Sequence, residues 1–579
     1  FRFPGLAILQ QNEDELKCGN KVLADLRRTC SYLEKEAGAV SAAQSTAVFV
    51  NARIITLDLA QPVAEAMAVQ DGRIIALGTK SEILSLAGSG ASIADLEGQV
   101  VVPGFHDSHM HLLSWGLTMD GVQLEQARSA EELVELGRAY VRSNPDRQWI
   151  IGRGFNDETF SLRQLPTRED LDRVSVQQPV VFTRVCGHVC VVNSKALELA
   201  GIGEDTPEPP GGSLDRDRET GQPTGVLREN AMDLVMQLIP SPSVADWKRI
   251  LRRACAQAAA LGLTTIQSND LNGASSLNKR LQAYRELDEA GELPIRIILQ
   301  AGMPRLEDLQ AYLEIVKAFQ PSPMLTLGAL KLFADGSLGG RTAALTSSYA
   351  DAPDTDGMLI YSQEELDQLV LAAARSGLQV AVHAIGDRAL DLVLNSYDHA
   401  KRLYPAWQRR PRVIHAQITR FDQLERLARL GAVADIQPIF VPTDMHFAER
   451  RVGTALAEYS YAWKTMLDLG IAAAGGSDCP VEPCNPLWGM HAAVTRQDRS
   501  GFPSGGWHPE QRLDGCTALR LFTTGSAYAA EEEKIKGALS PGKLADFVVL
   551  PQDPTAIDPQ DLLDLKVTAT YVGGKRVYP

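Results

Sequence analysis

The sequence predicts an α/β fold, a (β/α)8 barrel, because strand and helix patterns alternate through its middle and eight short apolar runs each end in polar residues. Two β-rich patches flank this alternation, one near each end of the chain. In such a barrel the carboxyl ends of all the strands meet at one rim. We therefore expect the polar residues that end these runs to form one active site.

The eight apolar runs define the predicted barrel strands in chain order. They are QVVVPGF (99–105), LTTIQSND (263–270), PIRIILQAG (294–302), LTLGALKLFADG (325–336), LQVAVHAIGD (378–387), RVIHAQ (412–417), AVADIQP (432–438) and IAAAGGSD (471–478). Helical segments separate most of them. One helix is predicted to begin at a capping box formed by Ser362 and Glu365 and to stop at Gly377.

The two β-rich patches predict a second, smaller domain. The first patch contains a hairpin turn at Asp71 and Gly72, and the second contains ADFVVLPQD and VTATYVGGKRVYP. We expect both ends of the chain to pair in one β-sandwich-like domain, with the barrel inserted between them. The predicted divisions are an N-terminal arm at 1–46, the composite β domain at 47–103 and 526–579, and the barrel at 104–525.

A long segment separates the first two predicted strands, far longer than a crossover between parallel strands requires. Only its end, PSVADWKRILRRACAQAAALG, has the pattern of the crossover helix. The rest, about 116–240, is interpreted as an inserted subdomain with a strand of its own. An insertion after a barrel strand lies on the catalytic face, so we expect it to shape or cover the pocket.

Charge and composition narrow the classes of partner. The net charge of −15 argues against a nucleic-acid partner, because phosphate binding needs a basic face. No run of about 18 apolar residues predicts a membrane helix. The eight scattered cysteines fit a reducing compartment, so we expect a cytoplasmic protein; since the sequence begins at Phe1, secretion stays open. We expect a small-molecule substrate and leave a homo-oligomer open.

A His-x-His pair carries the first sign of chemistry. His109 and His111 stand two apart at the end of a predicted strand, so both side chains face the same side and suit one metal ion. His106 has the opposite parity and is excluded as a ligand. Asp107 shares the ligand parity and is a candidate for orienting one of the imidazoles.

Lys331 lies inside LTLGALKLF with apolar neighbours on both sides. Buried lysine is rare without a special role and loses its proton readily. Its amine could take up carbon dioxide and form a carbamate that bridges two metal ions. The alternative is a structural lysine that extends from a strand end toward solvent or pairs with Asp335.

Three further residues end predicted strands in the same way. His383 and His415 end two successive strands, and Asp478 ends the eighth, where a carboxylate can bind a metal and accept a proton. Imidazoles with a carboxylate favour zinc or a similar divalent transition metal, one or two ions per chain, over calcium or magnesium.

The motifs resemble the amidohydrolase superfamily and, within it, amidohydrolase family 3, also called YtcJ-like. The stretches that carry this resemblance span 47–579 and include VVPGFHDSHMHL, GHVCVVNSKAL, PTGVLRE, KLFADGSLGGRTAAL, VHAIGDRA, GGSDCPVEPCNPL, AVTRQ and GALSPGKLADFVVL. The resemblance implies a metal-dependent hydrolase on a (β/α)8 barrel and is specific for the family but not for a substrate.

The resemblance also implies residue roles. His109 and His111 would hold a buried metal ion, His383 and His415 a more exposed one, and carboxylated Lys331 would bridge the two. Asp478 would bind the first ion and move protons. His188, in the insertion, matches a family histidine that reaches the substrate. Ile414 departs from the family, since many relatives carry Glu before the histidine of the sixth strand.

These observations predict hydrolysis of a carbon–nitrogen bond, an amide of a small molecule, by a metal-activated hydroxide with Asp478 as the proton shuttle. Two enzyme alternatives use the same rim, a cyclic amidine deaminase and a lactonase. Deaminases of the superfamily usually run with one metal, so Lys331 disfavours the deaminase. A third alternative is a regulatory protein that keeps the barrel without catalysis; the complete set of ligands argues against it.

Overall fold

The computed structural model describes residues 46–579 except 89, 158–159, 163, 185–188, 210–211 and 273. His188 and nearly all of the predicted N-terminal arm at 1–46 therefore lie outside the described residues. The chain divides into two compact units, one formed by the residues up to Leu112 and from Cys255 onward, the other by Leu113–Ala254.

The larger unit contains an eight-stranded parallel sheet that confirms the predicted (β/α)8 barrel. Its strands, numbered along the chain, are β1 Phe105–Met110, β2 Leu263–Asn272, β3 Arg296–Gly302, β4 Leu325–Phe333, β5 Val380–Ala384, β6 Arg412–His415, β7 Val433–Ile436 and β8 Ala472–Gly475. Neighbours in sequence are neighbours in the sheet. Beyond the end of β8, Asp478 N donates to His109 O and His111 N donates to Cys479 O, each at 2.8 Å, so the rim closes.

The prediction for the first barrel strand was wrong, because it placed this strand one strand too early in the chain. The apolar run VVVP at Val100–Pro103 belongs to the β domain, and the polar segment FHDSHM forms β1. All six residues of β1 are nonetheless buried. Four of its six residues are polar, which is why hydrophobicity placed the strand too early.

Helices follow the barrel strands and have ordinary start and stop signals. The helix at Gln363–Arg375 begins with the predicted capping box, in which Ser362 and Glu365 exchange hydrogen bonds, and buries Leu366, Leu369 and Val370 on one face. The other helices of eight or more residues are Lys80–Ala87, Leu112–Asp120, Ala130–Ser143, Val244–Ala260, Ala274–Glu289, Leu306–Ala318, Asp387–Leu403, Phe421–Leu430, Ala448–Ala457 and Pro486–Thr495. Shorter ones are Arg168–Asp172, Ser194–Ala200, Asp233–Met236, Val441–Asp444, Trp463–Asp468, Gly515–Arg520 and Ser526–Ala529.

The larger unit has two further sheets, and one of them contains strands from both ends of the chain. One joins Arg53–Ile55, Val63–Ala64 and Val100–Pro103 to Phe547–Leu550, Ala569–Val572 and Lys575–Tyr578. The other contains Ala47–Val50, Ala66–Gln70, Arg73–Gly78 and Ser92–Asp95. Asp71 and Gly72 form the expected turn with positive φ. Between the sheets Phe547 stacks on Tyr571, with ring centroids 4.4 Å apart, and Phe49 packs edge-on against both.

The smaller unit, Leu113–Ala254, has a six-stranded mixed sheet of its own. Its strands are Val122–Gln123, Ile150–Phe155, Val180–Arg184, Val189–Val192, Gly212–Arg216 and Pro223–Glu229. The strand predicted within the insertion is thus a pair of antiparallel strands, because Val181 pairs with Val192. Leu133, Phe155 and Phe182 are among the residues of its core. No helix among the described residues is long and apolar enough to cross a membrane.

Candidate metal centre

Three of the predicted ligands converge at the rim of the barrel. Asp478 Oδ1 lies 3.3 Å from His109 Nε2 and 3.1 Å from His111 Nε2. One ligand atom from each of the three residues lies within 4.8 Å of the other two. A single divalent ion could be held at this point by two imidazole nitrogens and a carboxylate oxygen.

The backbone brings these residues together by a close approach of β8 to β1. A Cβ on Gly476 would lie 2.9 Å from His109 N and 3.0 Å from His109 O, so only glycine fits there. Asp107 fastens the same junction, because its carboxylate accepts hydrogen bonds from Ser477 Oγ, Ser477 N and His109 N. The hypothesis that Asp107 orients an imidazole is therefore wrong: it holds backbone, not a ring.

Two of the converging residues have backbone conformations that non-glycine residues seldom adopt. His415 has φ +77° and Asp478 has φ +56°. Left-handed conformations cost of order 1–3 kcal/mol each and persist where surrounding structure enforces them, often at functional sites.

Each imidazole of this group is oriented through its second nitrogen. His109 Nδ1 lies 2.9 Å from Gln300 Oε1, and His415 Nδ1 lies 2.7 Å from Gln437 Oε1. His111 Nδ1 faces the backbone oxygen of Asn269 at 3.3 Å. An acceptor at Nδ1 keeps the hydrogen there and leaves Nε2 as a lone pair that can bind a metal. Neither Gln300 nor Gln437 was singled out from the sequence, since neither belongs to a recognised motif.

Lys331 is buried beside this group. The residue is 1% exposed, and its Nζ has no hydrogen-bond partner among the described residues. Nζ lies 3.5 Å from the ring centroid of Phe333. Burial lowers the pKa of Lys331 to about 7, although the carboxylates of Asp478 and Asp435 act in the opposite direction. A neutral amine is thus accessible near neutral pH.

The alternative of a structural ion pair between Lys331 and Asp335 fails. Asp335 accepts hydrogen bonds from the backbone nitrogens of Ala344, Ile385 and Gly386, and it lies 3.3 Å from His383 Nε2. The carboxylate therefore fastens the loop after β4 to the end of β5 and is not available to neutralise the lysine.

His383 and His415 lie side by side, with ring centroids 4.5 Å apart. His383 Nε2 donates to Gly336 O at 3.0 Å, and so it faces the loop after β4. His415 Nε2 lies 4.0 Å from Asp478 Oδ2, and the ring of His415 stacks on Phe440. The structure thus gathers His109, His111 and Asp478 tightly, His415 at their edge, and His383 one ring further out.

The charges of the group suit a bound cation. Burial lowers the pKa of His109 to about 4, and the neighbouring Lys331 adds to the effect, so the ring is neutral. Burial acts to raise the pKa of Asp478, but the close contacts of its carboxylate with the imidazoles of His109 and His111 outweigh burial and hold the pKa well below its usual range. Neutral imidazoles and an ionised carboxylate are the protonation states that bind a metal.

A second polar group, not found from the sequence, lies nearby inside the barrel. The guanidinium of Arg412 forms a two-point ion pair with Asp435, at 2.7 and 3.0 Å, and both side chains are fully buried. Arg412 also donates to Gln267 Oε1 and to Ser108 O.

His106, which was excluded as a ligand, contacts Gln267 at 3.1 Å. Ile414, the residue at which the sequence departs from the family resemblance, packs in an apolar cluster with Ala329 and Ala381.

A (β/α)8 barrel that collects imidazoles, a carboxylate and a buried lysine at one rim defines a class of barrel hydrolases. The comparison with known families agrees: residues 92–578 match the model of the amidohydrolase family, and the chain belongs to that family. The protein is therefore a hydrolase that acts on carbon–nitrogen bonds other than peptide bonds.

Relatives of known sequence are similar over most of their length. The chain is 36% identical over 89% of its length to YtcJ of Bacillus subtilis (strain 168), which is named as an amidohydrolase, and covers 96% of that protein. It is 30% identical to an N-substituted formamide deformylase of Arthrobacter pascens, over 91% of this chain and 97% of the relative. It is 29% identical to the exoenzymes regulatory protein AepA of Pectobacterium carotovorum, over 66% of this chain and 82% of the relative.

Among solved structures, the chain resembles an uncharacterized metal-dependent hydrolase from Pyrococcus horikoshii OT3. The TM-score is 0.75 at 30% identity, and the match covers 89% of this chain and 99% of the other.

Proposed function

We propose that the protein is a metal-dependent hydrolase that cleaves the amide bond of a small molecule. The observation that carries this proposal is the convergence of His109, His111 and Asp478, whose ligand atoms lie within 4.8 Å of one another at the rim. Zinc or a similar divalent transition metal suits two imidazoles and a carboxylate.

The surrounding residues fit such an ion. The second nitrogens of His109, His111 and His415 are each held by an acceptor, which leaves Nε2 free to coordinate. Lys331 adds a buried amine with no protein partner among the described residues. A first ion would be held by His109, His111 and Asp478, and a second by His383 and His415.

A divalent ion at this centre would polarise the substrate carbonyl and supply a nucleophile at neutral pH. Asp478 then transfers the proton. Its carboxylate takes one proton from the attacking water and returns it to the leaving nitrogen, so that an amide and water give a carboxylic acid and an amine. Gln300 and Gln437 keep the imidazoles in the tautomer that this arrangement requires.

We further propose that Lys331 is carboxylated. The neutral amine adds to carbon dioxide, forms an N–C bond and releases one proton, giving a carbamate. The carbamate carries one negative charge, which would offset part of the positive charge of two metal ions in this buried place. No other carboxylate lies on the lysine's strand. Phe333, 3.5 Å from Nζ, shields the group from water.

Other reactions on the same rim are weaker candidates. A cyclic amidine deaminase does not require the bridging lysine, and a lactonase shares every ligand, so a substrate panel must separate them. The similarity to AepA makes a regulatory role the second candidate. Against it stands the intact cluster, because a barrel released from catalysis would be expected to lose a ligand.

The experiment combines metal analysis with a substrate panel. The purified full chain should contain about one to two equivalents of transition metal, and a chelator should abolish turnover until zinc is returned. Because one relative is named as an N-substituted formamide deformylase, the panel begins with N-alkyl and N-aryl formamides and continues with acetamides, lactones and cyclic amidines. Metal-free protein after expression with added zinc, or turnover of lactones alone, would contradict the proposal.

A further inference from the structure

Phe333 is an exposed apolar side chain in a segment that is otherwise buried. It ends β4 and is 36% exposed. The four residues around it are each at most 1% exposed, and they are Lys331, Leu332, Ala334 and Asp335. Single exposed apolar residues are common on protein surfaces, but this one lies beside candidate metal ligands. Ligand pockets are lined largely by apolar and aromatic side chains, so Phe333 is a candidate for contact with a substrate.

The exposed part of Phe333 opens toward the candidate metal centre. Lys331 and Phe333 stand two apart on β4, so their side chains lie on the same face of the strand. Leu332, on the opposite face, is buried. Across the sheet Phe333 pairs with His383, and the centroids of the two rings are 5.3 Å apart. The ring therefore lies between the buried lysine and a predicted metal ligand, on the inner side of the rim.

One face of the Phe333 ring is already covered. Lys331 Nζ lies 3.5 Å from the ring centroid, and at that distance it must lie over a face, because an atom in the ring plane would overlap the ring's edge. The exposed part therefore belongs to the opposite face and the edges. The ring of Phe440, which stacks on His415 with centroids 5.8 Å apart, belongs to a residue that is only 8% exposed. Of these two rings beside the predicted histidine ligands, Phe333 has the open surface.

We propose that Phe333 determines specificity for the group attached to the scissile amide, and that this group is an aromatic ring. The substrate ring stacks on the open face of Phe333 while the amide lies at the metal centre. A flat face is complementary to another flat ring, and aromatic pairs gain more than their buried area alone provides. This inference rests on the proposed amide hydrolysis and names its substrate class more closely, amides with an aromatic acyl or nitrogen substituent.

The test compares aromatic amides with saturated ones of the same carbon skeleton. One pair is N-phenylformamide and N-cyclohexylformamide, and the other is N-methylbenzamide and N-methylcyclohexanecarboxamide. For each pair the ratio of the two kcat/KM values is measured in wild type and in Phe333→Leu, so that differences in intrinsic reactivity cancel. We expect Phe333→Leu to lower the ratio of aromatic to saturated substrate about 2- to 10-fold for the pair whose ring lies on the side of Phe333.

Two further variants and two physical measurements complete the design. Phe333→Tyr keeps the ring and should keep both ratios. Phe421→Leu is the matched control, because Phe421 is 42% exposed and its ring packs against Tyr459, with centroids 5.5 Å apart, at the start of an outer helix. It should leave activity and both ratios at the wild-type level. Metal content and melting temperature of Phe333→Leu should equal those of the wild type, because the replaced ring is partly exposed.

The outcomes are distinct. A wild type that hydrolyses none of the four amides would overturn the proposed function, and this inference with it. An active wild type whose two ratios are unchanged in Phe333→Leu, or fall as far in Phe333→Tyr or Phe421→Leu, would overturn only the inference. Loss of metal from Phe333→Leu, with equal losses of kcat/KM on aromatic and saturated amides, would also overturn it and leave the ring only the shielding of Lys331.

Discussion

Arg412 and His415 are three residues apart on β6, both fully or almost fully buried, yet their surroundings differ in kind. Every side-chain nitrogen of Arg412 donates to a protein acceptor, and both oxygens of Asp435 accept from it. His415 Nε2 lies 4.0 Å from Asp478 Oδ2, too far for a hydrogen bond, and the nearby Lys331 Nζ has no partner among the described residues. Strand β6 therefore begins in a group whose polar side-chain atoms are paired within the protein, here called the saturated group. It ends in a group that contains unpaired polar atoms, here called the unsaturated group.

Because of this difference, the two groups should respond differently to mutation. A saturated buried pair contributes to the folded state, and breaking it leaves a charge without compensation. An unsaturated group is costly in the folded protein unless a ligand satisfies it. Changes near Arg412 should appear in stability, and changes near His415 in metal binding and turnover.

The largest expected effect is at Asp478. Asp478→Asn keeps the shape and one oxygen but cannot carry a proton, so kcat should fall about 10²- to 10⁴-fold. Much of the metal should stay bound, and the free energy of unfolding should change little, since this side belongs to the unsaturated group. Steady-state kinetics with metal analysis and urea unfolding check this. Near wild-type turnover would show that another group moves the proton.

The next effect is at the saturated pair. Arg412→Met leaves Asp435 buried without its partner, and the free energy of unfolding should drop by about 3–5 kcal/mol. The double variant Arg412→Met/Asp435→Leu should recover most of the loss, because it removes the buried charge as well. Urea unfolding of both variants measures this. If the single variant unfolded like the wild type, the pair would not stabilise the barrel.

More of the unsaturated group than of the saturated group could be predicted from the sequence. It predicted the barrel and singled out Lys331 as a lysine inside an apolar run. It also singled out the chemically unusual residues at the ends of apolar runs, which are His109, His111, His383, His415 and Asp478. It did not predict Arg412–Asp435, Gln300 or Gln437, since these depend on which strands become neighbours across the barrel. Hydrophobicity also misplaced β1, whose residues are buried although most are polar.

The unsaturated group also contains positioning contacts, and Gln437 tests one. Gln437→Leu removes the acceptor 2.7 Å from His415 Nδ1, so metal affinity should fall about 10- to 100-fold. Gln379→Leu is the matched control: Gln379 donates to Arg410 O and Ala529 O at the opposite end of the strands. The control should lose stability and keep metal affinity. Equal affinities in wild type and Gln437→Leu, from competition with a chromogenic chelator, would remove Gln437 from the site.

Asp444 belongs to neither group, and it gives the smallest effect. Its Oδ2 accepts hydrogen bonds from the Tyr461 hydroxyl and from Gln417 Nε2, each at 2.6 Å, and both donors are neutral groups. Burial raises the pKa of Asp444 to about 7; hydrogen bonds from Tyr461 and Gln417 act in the opposite direction, and Glu482 adds to the rise.

The sign of the pH dependence follows from that pKa. Between the ordinary carboxyl pKa of about 4 and the raised value, the folded state binds a proton that the unfolded state has released. The contribution of Asp444 to stability is therefore fully present below about pH 4 and is lost as the pH rises through about 7.

Asp444→Asn, which cannot ionise and still accepts from Tyr461, should remove this dependence. The unfolding free energy of the wild type should fall relative to the variant by about 1–3 kcal/mol between pH 5 and pH 8. Parallel urea titrations at both pH values measure the difference, and the other titrating groups cancel between the two proteins. A wild type that instead gained stability over the variant as the pH rose would mean that Asp444 is ionised in the folded state and has a cationic partner. Asp444 would then be an ion-paired buried carboxylate, as Asp435 is.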